Sequence, residues 1–201
     1  QMRLDEIKDE RMVYQRCKSM VAALEALDAF HMHAHIVDNV VCQVSAFLKD
    51  TRLFRSRMLN YMLVGSSGTG KTSLASAIGD VFAHAGIFVG NQLVVAGRAE
   101  LVASYEGQTV ARTRNFLTSN LDNGVIFIDE AYGITPWQQG RAEGYGSEAA
   151  TAMVEFMTKY CGLYCIIVAG YETPMRRYFL TTNDGMSRRF PHKLALTDMV
   201  P

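Results

Sequence analysis

The spacing of hydrophobic positions changes character near residue 60. From Val13 they recur at Cys17, Met20, Leu24 and Leu27, in steps of four and three, which predicts an amphipathic helix running to about Phe30. A second helical pattern covers HIVDNVVCQVSAFLKD, residues 35–50. Beyond it the apolar residues come in short continuous runs: YMLV at 61–64, LVVA at 93–96, VIFI at 125–128, CIIVA at 165–169 and KLAL at 193–196. Stretches of helical character separate them, among them SLASAIGDVFAHA (73–85) and EAATAMVEFMTKY (148–160). Buried strands alternating with helices predict a parallel sheet covered on both faces. The segment from Gly133 to Gly146 holds Pro136, Trp137 and four glycines and reads as a long, mobile loop. The chain carries no internal repeat and no low-complexity tract.

Composition narrows this picture. A chain of 201 residues with 49% hydrophobic side chains suits one large domain with a substantial core. Residues 1–30 read as a helical segment ahead of a core at 31–201. Twenty basic side chains balance twenty acidic ones, so no excess of positive charge favours nucleic acid or anionic lipid. The four cysteines (Cys17, Cys42, Cys161 and Cys165) lack both the density of a secreted framework and paired zinc spacing, and are expected as reduced, buried thiols. No run approaches the roughly 18 apolar residues of a membrane helix, which gives an expectation of a soluble, intracellular protein. A start at Gln1 suggests a piece of a longer polypeptide.

The chemistry is concentrated in two motifs. GSSGTGKT (65–72) follows YMLV directly and opens the helical stretch at Ser73, fitting G-x-x-x-x-G-K-[ST] in the strand-to-helix context that the motif requires. The glycines let backbone N–H groups of Gly65, Ser66, Ser67, Gly68, Thr69 and Gly70 curl around a phosphate. Lys71 can reach the β- and γ-phosphates of ATP, Thr72 can offer its hydroxyl to Mg²⁺, and the helix N-terminus adds a favourable dipole. The other motif, VIFIDEA (125–131), is apolar until Asp129 and Glu130, at the strand edge where ligands of parallel sheets collect. Two carboxylates buried there would be costly without a partner. MgATP supplies one: Asp129 can hold the metal through its water shell, and Glu130 can orient or deprotonate the attacking water. A Gly/Ser turn and loop-capping acids are the alternative readings.

With these residues the chain resembles the AAA+ ATPases, in the branch that includes the red-type Rubisco activases and the stage V sporulation protein K. The motifs YEGQT (105–109), YGSEA (145–149), IIVAGYE (166–172) and NDGMSRRF (183–190) carry the resemblance beyond the ATP site, and it covers about Asp28 to Asp198. It implies a P-loop three-layer α/β/α sandwich with a five-stranded parallel sheet of order 5-1-4-3-2. It also implies a ring, usually a hexamer, that hydrolyses ATP to remodel a protein client, with no membrane partner. Tyr171 takes the place of the γ-phosphate sensor on a core strand. SRRF resembles the segment that presents an arginine finger to ATP on a neighbouring subunit, Arg189 matching the position and Arg188 being the alternative. The tip Tyr105-Glu106-Gly107 takes the place of the loop that lines the ring's pore, where tyrosines can hold varied segments by contact area. Glu106 replaces the usual apolar neighbour and would favour a basic or polar client. Trp137 and Arg141 are candidates for a second tier.

Two departures stand out. Ser67 replaces a common Pro in the loop, and the chain stops at Pro201, where a helical lid would begin in the resembled proteins. Rubisco activation does not follow from the resemblance. A nucleic-acid motor on the same core, and a nucleotide switch that only controls assembly, are the rival readings. His31, His33 and His35 alternate, but no Cys or acid completes a zinc spacing. Ile36 and Val37 suit either an adenine pocket or local packing, and Cys161 and Cys165 read as core thiols.

Overall fold

The apolar runs at 61–64, 125–128 and 165–169 are continuous because each of these central strands feeds two cores at once. In the computed structural model, which describes residues 2–30, 34–88, 90, 92–105, 107–135, 137–138, 141–142 and 144–197, five runs form strands. They are β1 (Tyr61–Val64), β2 (Gln92–Ala96), β3 (Gly124–Ile128), β4 (Cys165–Gly170) and β5 (His192–Ala195). All pair in parallel in the order β2-β3-β4-β1-β5, the order implied by the resemblance. Successive side chains of a strand face opposite ways. Tyr61 and Leu63 of β1, with Phe127 and Ile167, join a core shared with helices α1 (Met2–Asp28), α2 (Ala34–Lys49) and α3 (Lys71–His84). Met62 and Val64, with Ile126, Ile128, Ile166 and Val168, join a core on the other face with α4 (Thr109–Ser119) and α5 (Gly144–Lys159). The central strands β1, β3 and β4 are buried throughout, whereas β2 and β5 at the edges carry exposed positions. Truncating Phe127, which is wholly buried, to Ala would cost about 3–5 kcal/mol.

Two boundaries differ from the sequence pattern. Helix α1 begins at Met2 rather than Val13, since MRLDEIKDER is rich in straight-chain helix formers although it lacks an apolar stripe. Farther along α1, Ala23 and Leu27 lie in the same core as Val81 and Phe82 of α3. Helix α5 begins at Gly144, so the expected loop is shorter. A 3₁₀ turn (Ala131–Gly133) leads into it, and among its described residues Trp137–Gln138 pairs with Arg141–Ala142 in a two-stranded antiparallel ribbon. The early start comes from tertiary packing: Gly146 lies against the backbone of Ile134 and Thr135, where a Cβ would approach within 2.7 Å of the Ile134 carbonyl oxygen.

The expectation of buried thiols is corrected for two of the four. Cys17 and Cys42 are exposed on the outer faces of α1 and α2, Cys161 is half-buried, and Cys165 alone is fully buried. Burial pushes the thiols of Cys161 and Cys165 above their ordinary pKa, which suits inert packing. Ile36 is wholly buried with Val37 packed beside it, so both serve the α2 core. His31 and His33 lie outside the described residues; His35 is exposed on α2. Among the described residues, no helix is long and apolar enough to cross a membrane.

Candidate functional site

The loop after β1 is held at both ends. Gly65 N–H donates to the last carbonyl of β4, Gly170, at 3.2 Å, and the Thr69 hydroxyl, buried beneath the loop, donates to the Ser66 carbonyl at 3.0 Å. Gly68 (φ +80°) within the loop and Gly70 (φ +81°) at its end adopt left-handed conformations that L-residues avoid. Alternating backbone hands of this kind build an anion-binding concavity. Helix α3 starts immediately after, at Lys71, with Gly70 as its N-cap and no side chain capping it. Its first turn thus presents N–H donors that an anion can satisfy.

Lys71 leans back over this loop. Its ammonium donates to the carbonyls of Gly65 (3.0 Å) and Ser66 (2.5 Å) and stands 6.0 Å from the centroid of the Tyr171 ring. Tyr171 follows β4 directly, 44% exposed. On the other side β3 ends and the chain turns sharply. Asp129 N–H donates to Ala96 of β2 at 3.2 Å, and Glu130, with φ +45°, donates its N–H to Asp129 Oδ1 at 2.9 Å. Both carboxylates are exposed, not buried with the strand, because the turn carries them past the sheet's edge. Their expected desolvation cost is therefore absent.

Ser67, Gly68, Gly70, Lys71, Thr72, Ser73, Asp129, Glu130, Gly170 and Tyr171 line one cleft of about 320 Å³, and Tyr132 joins them. Tyr132, which directly follows the VIFIDEA motif, was not among the residues expected at the site. Burial, with the nearby Glu130 charge, raises the pKa of its phenol, which therefore keeps its proton. Thr72 and Asp129 flank the cleft with an exposed hydroxyl and carboxylate. Among the described residues no three His, Cys, Asp or Glu side chains gather into an all-protein metal site. The donor set fits Mg²⁺, which commonly binds through one or two protein groups and completes its shell with phosphate and water.

Arg189 is elsewhere. It precedes β5, whose His192 pairs with Tyr61 at the start of β1, so it sits at the edge of the sheet opposite the cleft. Its guanidinium donates to Thr158 Oγ1 of α5 at 2.7 Å, while Arg188 on the same turn is exposed. Tyr105 is 71% exposed at the tip between β2 and α4, next to the left-handed turn at Gly107 (φ +76°). The stem of this tip is pinned by Thr109, whose hydroxyl accepts from Ala103 N–H (3.2 Å), and by Thr113, which donates to the Leu101 carbonyl (2.7 Å). Both threonines are fully buried, a role that their sequence context did not reveal. Glu106 lies outside the described residues, as do the side chains of Trp137 and Arg141.

A glycine-turned phosphate loop between a central parallel strand and its helix, faced by an acidic pair at the end of the next strand but one, defines a P-loop nucleoside triphosphatase. Residues 61–192 match the ATPase family associated with various cellular activities (AAA), and the chain belongs to that family. It is 36% identical over 140 residues to stage V sporulation protein K of Bacillus subtilis, covering 70% of this chain and 42% of that protein. It is 33% identical over 140 residues to the ESX-1 secretion system protein EccA1 of Mycobacterium tuberculosis, covering 70% and 24%. To the chloroplastic ribulose bisphosphate carboxylase/oxygenase activase of Cyanidioschyzon merolae it is 33% identical over 143 residues, covering 71% and 47%. The chain spans less than half the length of each of these relatives, and their family is the one that the motifs implied.

Proposed function

We propose that the chain is the ATP-hydrolysing core of a ring-forming motor that remodels a protein client. The observation that carries this reading is the separation of the cleft from Arg189. Lys71, Thr72, Asp129, Glu130 and Tyr171 share one edge of the sheet. Arg189 lies beyond the other end of a four-residue strand, roughly 13 Å long. A cation so placed does not reach its own chain's phosphates and suits the site of a neighbour.

In this reading the N–H groups of residues 65–73 bind the phosphates and Lys71 moves from the Gly65 and Ser66 carbonyls to the β- and γ-oxygens. Thr72 and Asp129 hold Mg²⁺, which would neutralise phosphate charge as it develops. Glu130 takes the proton of the attacking water, Tyr171 senses the γ-phosphate, and Arg189 of an adjacent subunit stabilises the transferring group. Tyr105, exposed on a stiff stem, grips the client at the pore; Glu106 beside it biases the grip toward basic or polar segments. The names of the relatives, a secretion-system protein and an activase among them, are compatible with protein clients.

The test is the solution mass, by light scattering, of the Glu130→Gln variant with and without MgATP. The substitution removes the base and should hold ATP in place. A ring of about six chains that forms only with MgATP is the expected result. Persistent monomer, both for this chain and for a longer one that extends it, overturns the ring.

A further inference from the structure

We infer that Arg98 is a positioning residue for ATP hydrolysis, its guanidinium fixing the exit of the turn on which Glu130 stands. The inference rests on the proposed role of Glu130 as general base. Glu130 is the single non-glycine residue among those described with positive φ, at +45°. Such a conformation persists only where its surroundings over-determine it. The turn is anchored on both sides of Glu130, and both anchors come from the exit of β2. At its entry Asp129 N–H donates to the Ala96 carbonyl at 3.2 Å. Inside it Gly133 N–H donates to the Glu130 carbonyl (2.7 Å) and Ile134 N–H to that of Ala131 (3.1 Å). At its exit the carbonyls of Gly133 and Ile134 accept from Arg98 Nη1, at 2.9 and 3.3 Å. Glu130 is thereby suspended between bonds to Ala96 and Arg98, and removing the second frees the turn to relax out of its left-handed conformation.

Arg98 can serve as an anchor because its own backbone is held. It opens the four-residue helix Arg98–Leu101, which is too short to persist unaided, and all four carbonyls of that helix are bonded. The Arg98 carbonyl accepts from Val102 N–H at 2.8 Å. Those of Ala99 and Glu100 accept from the Arg112 guanidinium of α4, at 2.5 and 3.2 Å, and that of Leu101 from the Thr113 hydroxyl at 2.7 Å. At the start of the helix Glu100 Oε2 accepts from Gly97 N–H at 2.8 Å. Two arginines therefore act in series: Arg112 fastens the helix to α4, and Arg98 fastens the acidic turn to the helix. A charged donor bonds a carbonyl more strongly than a neutral one, which suits a clamp on a strained residue.

Arg98→Met keeps the aliphatic stem and removes the donors, and Arg98→Lys restores a charge on a single-headed donor. Steady-state ATP hydrolysis by Arg98→Met is expected to show kcat reduced roughly ten-fold with KM within about two-fold of the parent. Arg98→Lys should recover part of that kcat, and binding of a fluorescent ATP analogue should be unchanged in both. Adding Arg98→Met to Glu130→Gln should cause no further loss. In chain labelled with ¹³C at glutamate Cα, the resonance that disappears in Glu130→Gln reports the backbone at Glu130 and should shift in Arg98→Met. Those of the remote Glu25 and Glu155 should stay, which excludes global unfolding. The Glu130 signal needs no turnover and decides the matter where hydrolysis is below detection. An unmoved Glu130 resonance, a kcat equal to the parent's, or a further loss in the double variant each overturns the inference. Parent-level hydrolysis by Glu130→Gln overturns the base assignment itself and is told apart by that variant alone.

Discussion

The carboxamide of Asn60 donates to the main-chain carbonyl of Arg189 at 2.9 Å, joining the residue that leads into β1 to the turn that leads into β5. Its oxygen accepts from the N–H of Ile166, in β4, at 2.8 Å. Asn60 is 2% exposed, so one buried side chain satisfies two backbone groups and ties the arginine turn to the central strands. Asn60→Ala leaves both groups unpaired and is expected to destabilise the fold by about 1–3 kcal/mol, read as a lower urea midpoint at unchanged slope.

The pair Arg188 and Arg189 divides by environment. Arg189 is half-buried and bonded to Thr158, whereas Arg188 is free in solvent. Arg189→Ala is expected to lower kcat by about 10³-fold with little change in ATP affinity, because the finger acts only on the transferring phosphate. Arg188→Ala should retain most of the turnover. A reversed result in steady-state assays assigns the finger to Arg188 and leaves Arg189 as a support on α5.

A polar cluster under α2 makes stability sensitive to pH. The Tyr61 hydroxyl donates to Asn39 Oδ1 (3.0 Å), which leaves the Asn39 amide to donate to His192 Nδ1 (3.3 Å), with the Tyr61 and His192 rings stacked at 4.6 Å. In that arrangement Nδ1 is an acceptor and carries no proton. Burial lowers the His192 pKa in the fold, so below the ordinary histidine value of about 6.5 the unfolded chain binds more protons. The contribution of this group is therefore present above the unfolded value and is lost as pH falls below it and through the lowered folded value. Denaturation midpoints from pH 8 to 5 should fall at the acid end, less steeply in His192→Gln.

Tyr105 should matter for client work and not for folding. With 71% of the residue exposed, Tyr105→Ala is expected to change stability by no more than about 0.5 kcal/mol. Stimulation of ATP hydrolysis by an unfolded or basic protein should be lost in this variant. Stimulation equal to the parent's would remove Tyr105 from the pore.

Much of the fold was legible in the residues themselves. The four-residue run YMLV coincides with β1, and the runs at 93–96, 125–128 and 165–169 each lie within their strands; in β1, β3 and β4 the reason is burial on both faces, which requires apolar residues throughout. KLAL was shifted by one residue, since edge strand β5 begins at the polar His192. GSSGTGKT was equally readable: a phosphate loop depends on glycine backbone freedom and one lysine, both local properties.

Other features arose only when distant segments met. Tyr132 gained its place from Gly170, far along the chain. The opposition of Arg189 to the cleft is a matter of strand direction, invisible in any single motif. Local patterns encode backbone geometry and burial, whereas partners separated by dozens of residues are chosen by packing. The sequence by itself determined the sheet's strands and the phosphate loop, and the tertiary structure alone decided which side chains hold Arg189 and His192 in place.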